Sequence, residues 1–298
     1  MGKNYSKKPY EQRKEEMNCI LQQLEDGVRN VFESDNYIEY LKVYSKFYNY
    51  SINNIILILQ QNPSATHVAS FKDWNTKFHR IVKKNEKGIR ILVPTPKKII
   101  QDKTITTEDG STETIQVERK QMYFKQGYVF DVSQTTGEEL PSLVKQLTYE
   151  SDTIDDIINK IISSSEIPIN YDASLKENSP NGYYRPATEE IFIKPSLPSL
   201  HRLKTITHEL SHYYQDRKYQ DITKDYDRQT LEVIAESTAF CVLQMLANTF
   251  NMEQLDSSDY SFGYVAGWGS KDLKELKATL SLISDISNSI YSWFSTLF

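Results

Sequence analysis

His208-Glu209-Leu210-Ser211-His212 sets two imidazoles four residues apart with a carboxylate between them. In a helix, residues i and i+4 lie one turn apart on the same face. Both ring nitrogens can therefore hold one divalent cation, with Glu209 placed to take the proton of an attacking water, the division of labour that hydrolysis at a zinc centre needs. The surrounding run, Leu200 to Lys218, reads as a single helix with Leu203, Ile206 and Leu210 on its apolar side. The chain has only five histidines. Two of them bracketing a glutamate on a merely solvated face is the weaker account.

A tetrahedral catalytic zinc takes a third protein ligand and leaves its fourth position open. After a polar turn, Arg228 to Ala247 resumes a helical pattern and carries Glu232 and Glu236 one turn apart. Leu231, Ile234, Ala235, Ala239, Val242 and Leu246 surround them, and an unpaired charge there would be costly. Spacing alone lets either glutamate be the ligand. Glu232-Val-Ile-Ala-Glu236 resembles the arrangement of gluzincin-type peptidases, which implies Glu232 as third ligand. Glu236 would then accept the other N–H of a zinc histidine and fix its tautomer.

The elements that must position these residues follow from periodicity. Thr153 to Ser163 predicts a helix and Ile167 to Tyr171 a short strand. Glu189 to Ile193 alternates as a strand directly before the metal helix, an edge to which an extended substrate could add. Pro195 and Pro198 separate it from the helix, with Ser199 as the expected cap. Farther on, Tyr260 or Tyr264 could donate to a developing oxyanion, although packing is the more ordinary role. Leu280 to Leu297 keeps helical spacing as a docked helix.

Charge divides the chain. Residues 1 to 100 hold 17 Lys and Arg against 10 Asp and Glu, while residues 101 to 298 hold 18 against 30. A basic first part points to a polyanion and an acidic second part to another partner, a polypeptide. In the basic part, Glu11 to Phe32 is an amphipathic helix, Tyr37 to Tyr48 a helix of tyrosines interleaved with lysines, and Ile52 to Gln61 a short buried helix stopped by Pro63. Aromatic and basic side chains in one helix could stack bases and neutralise phosphates, or form a core. Arg80 to Arg90 crowds five cations into eleven residues beside Trp74. Residues 101 to 121 read as two polar strands turned at Asp109-Gly110, followed by a strand from Met122 to Val132.

The order Tyr48-Asn49-Tyr50-Ser51, Asn53-Asn54, Pro63, Ala65-Thr66, Phe71, Trp74, Arg80, Val82-Lys83-Lys84 and Glu86-Lys87-Gly88 resembles the N-terminal single-stranded-DNA-binding domain of ArdC-type antirestriction proteins of mobile elements. His79 and Asn85 depart from it, standing where glycine is usual. The resemblance and the basic cluster together make Tyr48, Tyr50, Asn53, Asn54, Trp74, Arg80, Lys83, Lys84, Lys87 and Arg90 the candidate nucleic-acid contacts. The implied fold is α+β: a small nucleic-acid-binding domain over 1–140 and a zincin-like metallopeptidase domain over 150–298 that also resembles the ImmA/IrrE group. Its cofactor would be Zn2+, and its partners single-stranded DNA and a polypeptide substrate. Three functions stay open: a zinc peptidase fused to a DNA-binding domain, an antirestriction protein that cleaves nothing, and a regulator that cleaves a repressor or host protein. Two isolated cysteines, a polar opening and the lack of a long apolar run predict a cytoplasmic protein without a membrane segment.

Overall fold

The computed structural model describes residues 10–32, 34–106, 112–138, 140, 154–250 and 271–297. In chain order the elements are α1 (Tyr10–Val31), α2 (Ser34–Lys46), α3 (Ile52–Gln61), β1 (Val68–Ser70), α4 (Phe71–Thr76), β2 (Arg80–Val82), β3 (Ile89–Thr106), β4 (Thr112–Asp131) and β5 (Thr135–Gly137). They continue with α5 (Ile154–Ser164), β6 (Ile169–Tyr171), β7 (Gly182–Arg185), β8 (Glu190–Ile193), α6 (Ser199–Arg217), α7 (Gln220–Thr223), α8 (Arg228–Phe250) and α9 (Leu273–Ser295). The fold is α+β, with helices and small, mainly antiparallel sheets. The expected turn at Asp109-Gly110 and the candidate oxyanion donors Tyr260 and Tyr264 lie outside the described residues.

Two compact units form, Met1–Gln23 with Val68–Glu138, and Leu24–His67 with Glu139–Phe298. This differs from one division of the chain near residues 140 to 150. The reason is α2, whose aromatic face is core in the second unit: Tyr37, Tyr40, Tyr44 and Phe47 are buried. The Tyr37 hydroxyl lies 2.7 Å from Ser237 Oγ in α8, and the Tyr44 hydroxyl donates to the Ser284 carbonyl in α9 at 3.1 Å. Bases cannot reach these rings. α8 is apolar nearly all round, as a helix enclosed by others must be. Val233, Ile234, Ala239, Phe240, Val242 and Leu246 are all buried. Its Arg228–Thr249 stretch is long and apolar enough by length and composition to cross a membrane, and 78% of its most apolar window is buried inside the protein, as in a core helix.

In the first unit β4 pairs antiparallel with β1 and β3, and β2 with β5. The sequence reading of several short strands is corrected to one long hairpin. Eighteen residues of β3 pair with β4, from Ile89 opposite Val129 to Thr106 opposite Thr112. Pro94 and Pro96 fall inside β3, which the strand order places at the edge of its sheet, where an absent N–H is tolerated. His79 (φ 51°) and Asn85 (φ 68°) flank β2 in the left-handed region. That conformation accounts for glycine being usual at both positions.

The third sheet, ordered β6-β8-β7, supports the metal helix. β8 is paired on both sides, parallel to β6 and antiparallel to β7. The edge-strand role expected of 189–193 therefore cannot belong to it. β6 and β7 are the edge strands of this sheet, and Glu189 itself is a left-handed turn residue (φ 54°) between β7 and β8.

Candidate metal centre

α6 buries Leu203, Ile206, Leu210 and Tyr214, intervals of three and four that leave His208 and His212 together on the flank facing α8. Ser199 is its first helical residue and Pro198 holds the N-cap position without a side-chain bond, so the expected Ser199 cap is replaced. Gln215, one turn beyond Ser211, donates to the Leu231 carbonyl at 3.1 Å and ties α6 to the first turns of α8.

His208, His212 and Glu232 each offer one atom within 4.8 Å of the others. His208 Nε2 lies 3.2 Å from His212 Nε2 and 3.4 Å from Glu232 Oε2, and His212 Nε2 lies 3.6 Å from the same oxygen. Bonds of about 2.0–2.1 Å at tetrahedral angles set donor separations of roughly 3.3–3.4 Å. Octahedral right angles at about 2.1 Å set roughly 3.0 Å. The triangle is of the size that a single divalent cation spans in either geometry. Its donor set, two imidazoles and one carboxylate, is that of a transition metal or zinc.

Glu236 stands beside His208. Its Oε2 lies 3.0 Å from His208 Nδ1, placed to accept the Nδ1–H and so to direct Nε2 toward Glu232 and His212. Lys204 donates to the other Glu236 oxygen at 2.8 Å. Lys204 went unread in the sequence, although it precedes His208 by one turn on the same face. Glu209 is buried, which raises its carboxyl pKa, opposed by the nearby imidazoles and by the backbone N–H of Tyr184 on β7. That N–H holds the carboxylate beside the edge strand. The Tyr184 hydroxyl donates to Asp216 Oδ2 at 3.1 Å. Gly182, Tyr183 and Tyr184 of β7, the α6 side chains and Arg228, Leu231, Glu232 and Glu236 of α8 line one cleft of ≈ 1140 Å³.

The family model for the N-terminal domain of anti-restriction factor ArdC matches residues 10–130. The chain carries an ArdC-type N-terminal domain. An uncharacterized protein of Bacillus anthracis is 24% identical over 320 residues, covering 96% of this chain and 52% of that protein. The chain thus spans about half the length of the curated relative it matches. Crystal structures of the antirestriction ArdC protein from R388 plasmid, metal-free and Mn(II)-bound, give TM-scores of 0.49 and 0.44 at 16% and 14% identity. Both cover 82% of this chain, and 85% and 87% of theirs.

Within the ArdC-type segment the candidate DNA contacts part company. Trp74 is 1% exposed, and its Nε1 donates to the Phe130 carbonyl at 2.7 Å. It is a core residue, corrected from a stacking one. Arg80 Nε donates to Thr135 Oγ1 at 2.7 Å and its terminal nitrogens to carbonyls of Thr135, Gly137 and Glu138, so its fork fastens β2 to β5. Lys83 donates to the Ser133 carbonyl at 2.8 Å while exposed, and Lys84 and Lys87 are exposed beside it. Arg90 is half-buried and donates to Gln23 Oε1 at 3.1 Å. Tyr48, Tyr50, Asn53 and Asn54 belong to the other compact unit. There Asn54 is buried, Tyr48 packs edge-on to Tyr291 at 5.2 Å, Tyr50 packs against Phe47, and Asn53 is exposed.

Proposed function

We propose that this chain is an ArdC-type antirestriction protein that binds single-stranded DNA through residues 10–130, shelters entering DNA from host nucleases, and cleaves no peptide in doing so. The observation that carries this reading is the match of 10–130 to the ArdC N-terminal domain. The excess of cations in residues 1 to 100 supports it. In the second unit His208, His212 and Glu232 would hold a divalent cation, with Zn2+ suited to their donor set of two imidazoles and one carboxylate. The test is affinity of the full chain for oligonucleotides across salt, paired with protection of transferred DNA by Glu209→Gln. A steep salt dependence and undiminished protection are expected. Flat or absent binding would remove the DNA reading.

A second reading, a zinc metallopeptidase, is favoured by Glu209, buried in the cleft beside both the histidines and β7. Bound there, the cation would polarise a carbonyl and acidify water. Glu209 would take the proton of the attacking water and return it to the leaving amine. The Tyr184 N–H holds its carboxylate in place, and the free edge of β7 receives an extended polypeptide. If Glu209→Gln abolished the biological effect with DNA binding intact, this reading would replace the first. A repressor or host protein would then be the substrate class to search.

A further inference from the structure

The β3–β4 hairpin outruns everything that pairs with it. β1 reaches only Val129 to Asp131, whereas β3 and β4 stay paired as far as Thr106 and Thr112. At about 3.4 Å per residue the part from Pro94 to Thr106 is a ribbon roughly 40 Å long, mostly exposed on both strands. A bare two-stranded ribbon is marginal in water.

Alternate residues of a strand share a face, so Phe130, Tyr128, Phe124 and Met122 form one row on β4. Tyr128 is 49% exposed, Phe124 53% and Met122 55%. Phe71, 58% exposed, extends the row by meeting Phe130 edge-on at 6.3 Å. Cations adjoin its Met122 end. Arg119 to Lys125 reads Arg-Lys-Gln-Met-Tyr-Phe-Lys without an acid, and Lys98 stands directly opposite Lys120 on the face of Phe124 and Met122. Lys98 reaches sideways to Glu118 at 3.0 Å. Like charges directly opposite weaken a ribbon. A phosphate between them reverses the sign of that contribution.

We propose that this face is a stacking platform for single-stranded nucleic acid, with bases on Phe71, Tyr128, Phe124 and Met122 and phosphates at Lys98 and Lys120. The inference rests on the single-stranded DNA reading above and moves its aromatic contacts from buried Trp74 to the exposed ribbon. Exposed rings in one row, with the Lys98–Lys120 pair beyond its Met122 end, suit a strand whose bases are splayed and whose sequence does not matter.

The experiment uses the full chain and a fluorescent oligothymidylate, measuring affinity and its salt dependence alongside the oligomeric state. Tyr128→Ala and Phe124→Ala should each weaken binding roughly tenfold. Lys98→Gln with Lys120→Gln should lower the salt slope by about 1.4, two phosphates at ~0.7 each. All four side chains are exposed or on the open ribbon, and the lysine pair tests the platform even where a ring variant loses solubility. If the wild-type chain binds and every variant binds equally well, the platform is overturned while the DNA reading stands. If the wild-type chain does not bind, both fall. If the variants change only the oligomeric state, the face is a protein contact and the platform is overturned.

Discussion

Lys204 Nζ lies 2.8 Å from Glu236 Oε1 in an ion pair whose side chains are only 15% and 14% exposed. Burial alone would raise the Glu236 pKa, but hydrogen bonds from His208 and Lys204 outweigh it and hold the carboxyl below its usual range. Lys204 therefore offsets one of three carboxylates, Glu209, Glu232 and Glu236, gathered about two imidazoles. Lys204→Met should cost the metal-free protein roughly 2 kcal/mol, the scale of a lost hydrogen bond to a charged group. A bound divalent cation supplies replacement charge, so the loss should shrink when Zn2+ is present. Urea unfolding with and without zinc checks this; an equal loss in both would show that Lys204 serves packing alone.

The two α8 glutamates should separate by stoichiometry. Glu232→Gln removes a donor atom from the triangle, and metal content of the purified protein should fall well below one ion per chain. Glu236→Gln leaves all three donors and loosens only the His208 ring, so one ion should still bind, about 10–100-fold more weakly. Mass spectrometry and competition with a chelator read both numbers. The reverse pattern would exchange the roles of Glu232 and Glu236.

Protons compete with the metal at His208. Burial lowers an imidazole pKa, but hydrogen bonds with Glu232 and Glu236 prevail and lift that of His208 to about 9. Its folded value lies above the unfolded one of about 6.5. The metal-free protein thus gains stability that is complete below about pH 6.5 and is lost as pH rises through about 9. Coordination must expel that proton. Metal affinity should accordingly strengthen with pH by up to about tenfold per unit as far as pH 9. Titration calorimetry at pH 7.5 in buffers of different ionisation enthalpy should give close to one proton released per ion; zero release would contradict the charged His208–Glu232–Glu236 arrangement.

Helical period made the α6 and α8 side chains legible, because spacings of three and four fix a face whatever the tertiary context. Lys204 stood on the same face, yet a lysine reads as solvent-facing until Glu236 is seen opposite it. β7 is only four residues long and its Gly-Tyr-Tyr-Arg has no clean alternation, so the sequence points to β8, one strand later, as the edge. Pro94 and Pro96 disguised β3 as separate pieces, since the edge position that tolerates them is a property of strand order. Aromatic side chains misled most. Trp74 and the α2 tyrosines have the composition of a stacking surface, and only non-local packing, such as Tyr37 on Ser237, reveals them as core.

The left-handed residues around β2 give a test of backbone strain. For an L-residue this conformation costs roughly 1–2 kcal/mol, while glycine pays about 0.5–1 kcal/mol in unfolded-chain entropy. His79→Gly should therefore stabilise the chain by about 0.5 kcal/mol. Asn85→Gly should gain less, because asparagine tolerates positive φ. His79→Val, with a branched Cβ at φ 51°, should lose roughly 1 kcal/mol or more. Urea midpoints for the three variants order the effects, with hydrogen exchange at Arg80–Val82 and Thr135–Gly137 localising them to the β2–β5 pair. Equal stability of His79→Val and wild type would mean that the turn before β2 can change conformation freely, and that the Arg80 hydrogen bonds to β5 hold the β2–β5 pair without it.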